Sequence, residues 1–584
     1  MIRRLLTAAA IVELAASAYT LVLGGFNWTI GPLRVSAGGP QRPFVIGVIC
    51  AAAAVWLSDR ASRRPSWARF ERRSGRLAAL AALITLAVGV WYGAGAAGAA
   101  DPYGYVSQAQ LWADGTPTVN EPLAAIDPIV APGAPPLGYT LVPPGKLVPI
   151  YPPGLPILLA VASSIGGERM MYLVVPILGA LAVWLTYRLG CIVSGPRTGL
   201  VAAVLLSSSP VFLEQLFLPM ADLPATTWLL AAIVLALSSV GGSAFLAGVA
   251  AAAAVVTRPN LLPLAIAVIL FVAWKRANPA RLLAFAAGLA PAGLAIAFFN
   301  RALYGSALRS GYGSLDALFR IEWIATNLSR YPRWLIEVHS LVILLGVAAP
   351  LLAGRSRTAA AEDDGVASKR LTLLLLAYCV LVVLCYIAYV PFDGWPYLRF
   401  WLPAIPVLFV LAATVMLTAI SRLPVSYRTA TVLLFTCLLS AWYVDKTQNL
   451  GVFLIQREEQ RYPRIGDYLS RDLPKNAVIL SGIQSGSLRL YGGNQTLRWD
   501  QFGARDLDRV VTLLERRGFT AFVLVEGDEE MLFRNWFGPS QVFGRLDWPP
   551  SHEYFGHQHA RVYAFADRER EWSVARLRKP IPED

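Results

Sequence analysis

About thirteen apolar runs, most of them near the roughly 20 residues that carry a helix across a bilayer, dictate what this chain can become. They occupy 5–23, 44–57, 77–97, 170–189, 200–216, 225–240, 244–256, 261–274, 282–299, 335–352, 371–390, 401–420 and 430–444. Across 584 residues, 56% are hydrophobic and only 15% charged, more apolar surface than a water-soluble core can bury. The expected class is a polytopic α-helical membrane protein of about 13 transmembrane helices, followed by a small C-terminal α/β domain. The net charge of +14 does not point to nucleic acid. Its arginines gather in short connections such as Arg60, Arg63, Arg64, Arg69, Arg72, Arg73 and Arg76, the pattern of cytoplasmic loops beside anionic lipid.

That rule places the basic connections 60–76, 188–197, 275–281, 355–370 and 422–428 on the cytoplasmic side. Asp101, Asp222, Arg258, Tyr312 and Asp393 then fall on the opposite face. The opening Met1-Ile2-Arg3-Arg4, with Glu13 interrupting the apolar run behind it, reads as a signal anchor with its N-terminus in the cytoplasm of an inner-membrane protein. The short run 157–165 follows Pro152, Pro153 and Pro156 and is expected as a re-entrant or partly inserted helix; counted as a full crossing, it would invert the topology on one side of itself.

Two domains are expected: 1–444 in the membrane, with an outer loop at 99–153, and 445–584 as an extracytoplasmic α/β domain, outside because the number of crossings is odd. Within the latter, 477–480 and 521–525 read as strands and 506–517, closed by Gly518, as an amphipathic helix. All five cysteines lie in or beside apolar segments, so neither a disulfide framework nor a zinc cluster is expected. His552, His557 and His559 read as surface histidines, and the glycines between Gly482 and Gly493 fit neither phosphate-binding pattern.

Chemistry is expected where charge meets the outer membrane boundary. Asp101 precedes Pro102, so its carboxylate stands at the start of a helix, and Asp222 precedes the run 225–240. Helix capping accounts for either one alone. Two carboxylates on one face of a bilayer each need water, a cation or a partner to stay ionised. Arg258, in Thr257-Arg258-Pro259-Asn260, and Arg399, in Tyr397-Leu398-Arg399-Phe400, suit a phosphate through their planar forks, although snorkelling to headgroups serves as well. Lys146 is a third cationic candidate, and Tyr151 and Tyr312 are expected to line a cavity.

The order of these features resembles the GT-C glycosyltransferases: an acid after an early span, a long Pro-rich outer loop, the Tyr151-Pro152-Pro153-Gly154 turn, Asp222 in the next outer loop, then the Arg258-Pro259 hairpin. The resemblance covers roughly 92–401 and is nearest to the dolichyl-phosphate-mannose protein mannosyltransferase and aminoarabinose transferase group. It implies that Asp101 acts near the transferred sugar, with Asp222 as the second-loop acid and Arg258 as the cation opening the hairpin. Two departures stand out. Many relatives carry Asp-Glu where this chain has Asp101-Pro102, and Lys-Pro-Pro where it has Tyr151-Pro152-Pro153, which removes one phosphate ligand unless Lys146 or Arg399 replaces it. Segments Tyr304-Gly305-Ser306 and Gly311-Tyr312-Gly313 are similar to an outer loop near the cavity.

The implied activity is transfer of a sugar from a polyprenyl-phosphate donor to a protein, lipid or glycan acceptor at the outer face, with inversion, Asp101 as base and Arg258, Arg399 and Lys146 as phosphate ligands. No cofactor is required, although a divalent cation shared by Asp101 and Asp222 is left open. Membrane lipids are the other partners, and nucleic acid is not one. A secondary transporter or lipid flippase, and a noncatalytic assembly protein, are the competing classes.

Overall fold

The structure, a computed structural model, describes residues 2–23, 26–30, 33–37, 41–57, 60–274, 278–313, 315–352, 362–569 and 579–581. Lys275, Arg276, Arg355 and Arg357 of two basic connections lie outside the described residues. Five described helices are long and apolar enough to cross a bilayer: Ser66–Tyr92, Glu168–Ser194, Pro279–Tyr304, Ser368–Tyr386 and Val425–Asn449. Three helix pairs meet the same test jointly, giving up to eight: Pro196–Ser207 with Pro210–Phe217, Ile321–His339 with Leu341–Leu352, and Trp395–Trp401 with Ile405–Ile420, bent by 60°, 107° and 83°. The chain is a polytopic helical membrane protein.

The breaks have identifiable causes. Ser209, followed by Pro210, caps a new helix by accepting from the Phe212 amide. Ser340 takes the left-handed region at φ 59° and accepts from Val342. Pro403 and Pro406 interrupt the third pair. Five further apolar helices have 10–17 residues, among them Gly154–Gly166, Asp222–Ala236 and Ser243–Thr257. At about 1.5 Å per residue, the 13-residue Gly154–Gly166 helix falls short of the roughly 30 Å hydrocarbon thickness. Small residues let these helices approach closely: a Cβ on Gly288 would stand 2.4 Å from the Phe245 carbonyl oxygen.

Strands β1 (Phe26–Ile30) and β2 (Leu33–Ala37) form an antiparallel pair near the N-terminus. Between the first long span and the Gly154–Gly166 helix, the chain forms the Asp101–Ala113 helix and a three-stranded antiparallel sheet of β3 (Val119–Asn120), β4 (Tyr139–Val142) and β5 (Lys146–Pro149), with β5 central. The C-terminal part carries β6 (Ala477–Ser481), β7 (Gln495–Leu497), β8 (Thr520–Glu526), β9 (His552–Phe555), β10 (His559–Ala564) and β11 (Lys579–Ile581) in the order β11-β9-β10-β8-β6-β7. β8 lies parallel to β6 and antiparallel to β10.

Both strands expected from the sequence are present, and their continuous apolar character has a simple cause: helices cover both faces. Val478, Leu480, Val523 and Val525 face Leu507, Val510 and Leu514 of the expected amphipathic helix, observed at Leu507–Arg516. Alternate residues Ile479, Phe522 and Leu524 face Ile465 and Leu469 on the other side. Leu123, Val130 and Ala134 of the 99–153 loop are buried in the first of these cores. This loop and the C-terminal sheet therefore share one hydrophobic cluster.

His552 corrects the surface reading of the three histidines. Its ring is buried, with Nε2 at 2.7 Å from Asp472 Oδ2 and Nδ1 at 2.9 Å from Ser551 Oγ. The partner acid ends the Arg461–Asp472 helix, 80 residues away, a proximity that spacing along the chain does not reveal.

Candidate functional site

Asp101, Asp222, Arg258 and Arg399 all lie where helices begin or are interrupted. Asp101 and Asp222 open their helices, Arg258 is an extended residue (φ −144°, ψ 92°) between the Ser243–Thr257 helix and Pro259, and Arg399 sits on the 3-10 turn Trp395–Trp401. A residue before proline is steered away from helical geometry, which explains the turn at Arg258.

These residues form two ion pairs. Arg399 Nη2 donates to Asp101 Oδ2 at 2.7 Å, and Tyr151 Oη donates to Asp101 Oδ1 at 2.7 Å. Arg258 Nη2 donates to Asp222 Oδ2 at 2.9 Å while its Nη1 reaches Tyr386 Oη at 3.1 Å. The ring of Phe400 stands between the pairs, 5.4 Å from the Arg258 guanidinium and 5.3 Å from that of Arg399, and is stacked on Tyr386 at 5.0 Å. Neither aspartate is the N-cap residue of its helix: Ala100 and Ala221 hold those positions, and each carboxylate is paired with an arginine. Snorkelling fails for the arginines, because 14% and 15% exposure leaves them turned inward.

Burial pushes the Asp101 carboxyl upward, but Arg399, the Tyr151 hydroxyl and Arg258 together outweigh it and hold the group below the usual aspartate range. Asp101 is therefore ionised throughout the physiological range while remaining 29% exposed. Asp222 is buried. The Nε atoms of Arg258 and Arg399 have no hydrogen-bond partner among the described residues, so each guanidinium keeps donor capacity unused by the protein.

Beside the pairs lies a cavity of about 260 Å³. Tyr105, Arg258, Asn260, Tyr312, Tyr386 and Tyr389 form its polar and aromatic wall, and Ile296, Phe299, Leu318 and Phe319 form an apolar one. Tyr312 lines it. Tyr151 stands behind that wall instead: it is 2% exposed, packs edge-on against Tyr312 at 5.9 Å, and spends its hydroxyl on Asp101. Lys146 is not brought to the cluster, being an exposed residue at the start of β5 that does not line the cavity.

A shared divalent cation does not fit this donor set. Each carboxylate already has an arginine, and among the described residues no three His, Cys, Asp or Glu side chains group to hold a metal.

Sequence reasoning missed Tyr386, Phe400 and Glu214. The aromatic density between Tyr386 and Trp401 was a signal for the first two. Glu214 was detectable as an acid inside the apolar run 200–216; it is buried, accepts from Gln215 Nε2 at 3.1 Å, and lies within electrostatic reach of Arg399 and Asp222.

The turn leading to Asp101 is strained. Ala99 holds φ 50°, a region costing a non-glycine residue on the order of 1 kcal/mol, and such outliers persist only where their surroundings enforce them.

No protein-family model matches the chain, and no curated protein matches its sequence. Its fold is similar to that of ArnT from Cupriavidus metallidurans in the apo state, with a TM-score of 0.50 and 13% identity over 83% of this chain and 97% of that one. It is also similar to the archaeal oligosaccharyltransferase AglB from Archaeoglobus fulgidus in complex with an inhibitory peptide and a dolichol-phosphate, with a TM-score of 0.50 and 12% identity over 82% and 72%. Both are GT-C superfamily glycosyltransferases, and the chain has the GT-C fold.

Proposed function

We propose that this protein is a GT-C glycosyltransferase that moves a sugar from a polyprenyl-phosphate donor to an acceptor at the outer membrane face. The observation that carries this reading is an aromatic cavity whose wall includes Arg258, one member of two neighbouring carboxylate–arginine pairs, on the fold shared with ArnT and with an AglB that binds dolichol-phosphate. The cavity's two characters suit an amphiphilic donor. Its apolar side accommodates the first isoprenoid carbons, Arg258 meets the phosphate, and the tyrosines stack on the sugar.

In this reading the acceptor oxygen attacks the anomeric carbon, the bond from that carbon to the phosphate oxygen breaks, and the electron pair leaves with the phosphate. The product is inverted. Asp101 accepts a hydrogen bond from the attacking hydroxyl and takes its proton as the new bond forms. A carboxylate held this low is a weak base at rest, so its contribution is realised late, when the attacking oxygen has become acidic. Arg258, which lines the cavity, and Arg399 beyond it stabilise the charge growing on the departing phosphate. Asp222 and Tyr386 orient Arg258, as Tyr151 orients Asp101.

The same reading keeps the N-terminus in the cytoplasm, an odd number of crossings near thirteen, and 445–584 outside an inner membrane. Purified full-length protein in lipid nanodiscs, given radiolabelled polyprenyl-phosphate hexose and pentose donors with cell-envelope acceptors, should release polyprenyl phosphate and label an acceptor. Movement of intact donor across vesicles without release would instead establish a transporter.

A further inference from the structure

The C-terminal region meets the turn before Asp101 with three backbone-directed hydrogen bonds. The Gly98 amide donates to Glu459 Oε2 at 3.1 Å, the Ala97 amide donates to Tyr491 Oη at 2.7 Å, and Gln460 Nε2 donates to the Ala94 carbonyl at 3.0 Å. The contact is close as well as polar. A Cβ on Gly98 would fall 1.8 Å from the Tyr462 ring, so only glycine lets the turn lie against that aromatic face. One residue later comes the left-handed Ala99, and two residues after that the carboxylate paired with Arg399.

These contacts grip the amides immediately N-terminal to the strained residue, where a small rotation swings everything that follows. The Asp101–Ala113 helix begins inside this turn, since the Tyr103 amide bonds Gly98 O at 3.2 Å. On the far side of the helix start, a Cβ on Gly486 would collide with Tyr103 at 2.2 Å, so the C-terminal region abuts the helix at a second point. Beyond the helix, Arg489 forms an ion pair with Glu121 and donates to the Ala134 carbonyl at 2.8 Å, which anchors the rest of the outer loop.

We propose that Glu459 and Tyr491 are positioning residues for Asp101: the C-terminal region holds the turn at 97–99 in its strained form and thereby aims the carboxylate at the acceptor. The catalytic half of this statement rests on the glycosyltransferase reading, whereas the mechanical half does not. Neither residue touches the cavity, so their loss should lower kcat and leave donor binding alone. Only the acceptor atom matters at each place. Gln at 459 keeps an oxygen for the Gly98 amide, whereas Ala at 459 and Phe at 491 do not.

The test compares full-length wild type, Glu459→Ala, Glu459→Gln and Tyr491→Phe in nanodiscs by amide hydrogen exchange and steady-state kinetics. In Glu459→Ala, exchange at residues 97–104 should rise at least about tenfold while β6 and β8 keep their protection. The kcat should fall by about 10-fold or more with the donor KM changed less than about twofold, a size in keeping with misplacement of a reacting group. Tyr491→Phe should shift both quantities in the same direction, and Glu459→Gln should restore both to near wild type. Unchanged exchange at 97–104 in both Glu459→Ala and Tyr491→Phe overturns the proposal whatever the kinetics show, as does a Gln variant no better than Ala. Absence of turnover in the wild type would remove the glycosyltransferase reading and leave the exchange measurement to decide the mechanical claim.

Discussion

Beneath the C-terminal sheet, Arg461 uses all of its nitrogens: Nε on Glu526 at 2.6 Å, Nη1 on the Glu458 carbonyl at 2.7 Å and Nη2 on Tyr462 Oη at 2.8 Å. Between the membrane helices, Arg258 and Arg399 also pair with carboxylates, yet each keeps an Nε without a protein partner, and Arg258 opens onto the cavity. Buried pairs cost desolvation in both places, and neither is by itself evidence of stability. The difference lies in what is left over. Arg461 meets a protein acceptor with every nitrogen, whereas Arg258 turns one face to a cavity.

The largest expected effect tests that contrast at the base. Asp101→Asn keeps the shape and hydrogen-bonding size of the side chain but removes the charge facing Arg399 and the atom that takes the proton. Turnover should fall by about 10² to 10⁴-fold, with the protein still folded in the membrane, as judged by donor-phosphate release and by size-exclusion profile. Full turnover in this variant would exclude Asp101 as the base.

A matched pair of mutant cycles sharpens the comparison further. Removing one partner alone, by Arg258→Ala or Arg461→Ala, should destabilise the protein by about 3 to 5 kcal/mol, because it strands a buried carboxylate. Deleting both partners, Arg258 with Asp222 or Arg461 with Glu526, should recover much of that loss in thermal unfolding. Activity should separate the two cycles. The Arg461/Glu526 double variant should regain turnover as it regains stability, and the Arg258/Asp222 double variant should stay at least about 10²-fold impaired, the scale of losing one transition-state donor. Recovery of turnover in both would make Arg258 structural.

How much of this was legible in the sequence follows from which interactions are local. The polytopic class showed directly, because apolar runs of bilayer length need no tertiary context. Strands β6 and β8 and the helix after Asp506 showed for the same reason: periodicity records burial face by face. Asp101, Asp222, Arg258 and Arg399 were identifiable because ionisable residues at membrane boundaries are costly. Their pairing was not. Arg399 reaches Asp101 across 298 residues, and nothing in either neighbourhood favours that partner over Asp222. Tyr151 was placed in the cavity wall from its Pro-Pro turn, but the direction of one hydroxyl set it behind that wall. His552 was misread because its acid comes from another element, and the shared core of the outer loop with the C-terminal sheet depends on packing that no local pattern encodes.

Acidity offers a smaller and opposite signature in the two regions. In the C-terminal region, burial pushes the carboxyls of Glu459 and Glu529 up to about 7 from 4.5, against the opposing pull of Arg461 and of backbone amides. A carboxyl whose folded pKa is raised favours the native state when protonated, so that contribution is complete below pH 4.5 and is lost as the pH climbs through about 7. Asp101 has the reverse sign: its depressed pKa gives a contribution present above the usual aspartate range and lost only in stronger acid. Hydrogen exchange between pH 5 and 8, corrected for the intrinsic rate, should therefore show protection of β6 and β8 declining as pH rises, without any titration of Asp101 in that interval. Protection that grows with pH would contradict the burial of the two glutamates.

The smallest expected effect concerns Lys146, proposed from the sequence as a substitute phosphate ligand. It begins β5 opposite Asn120 and Val142, is exposed, and does not line the cavity that holds Arg258. A solvated ammonium outside the cavity is screened, and exposed charges generally contribute less than about 1 kcal/mol even to a direct partner. Lys146→Ala should thus change kcat/KM for a polyprenyl-phosphate sugar by less than about fivefold, while Arg399→Ala, which frees Asp101 from its only ion-pair partner among the described residues, should cost far more. If the two losses proved equal, the outer loop would have to fold Lys146 down onto the donor during turnover, and the phosphate site would be shared between the membrane helices and the loop above them.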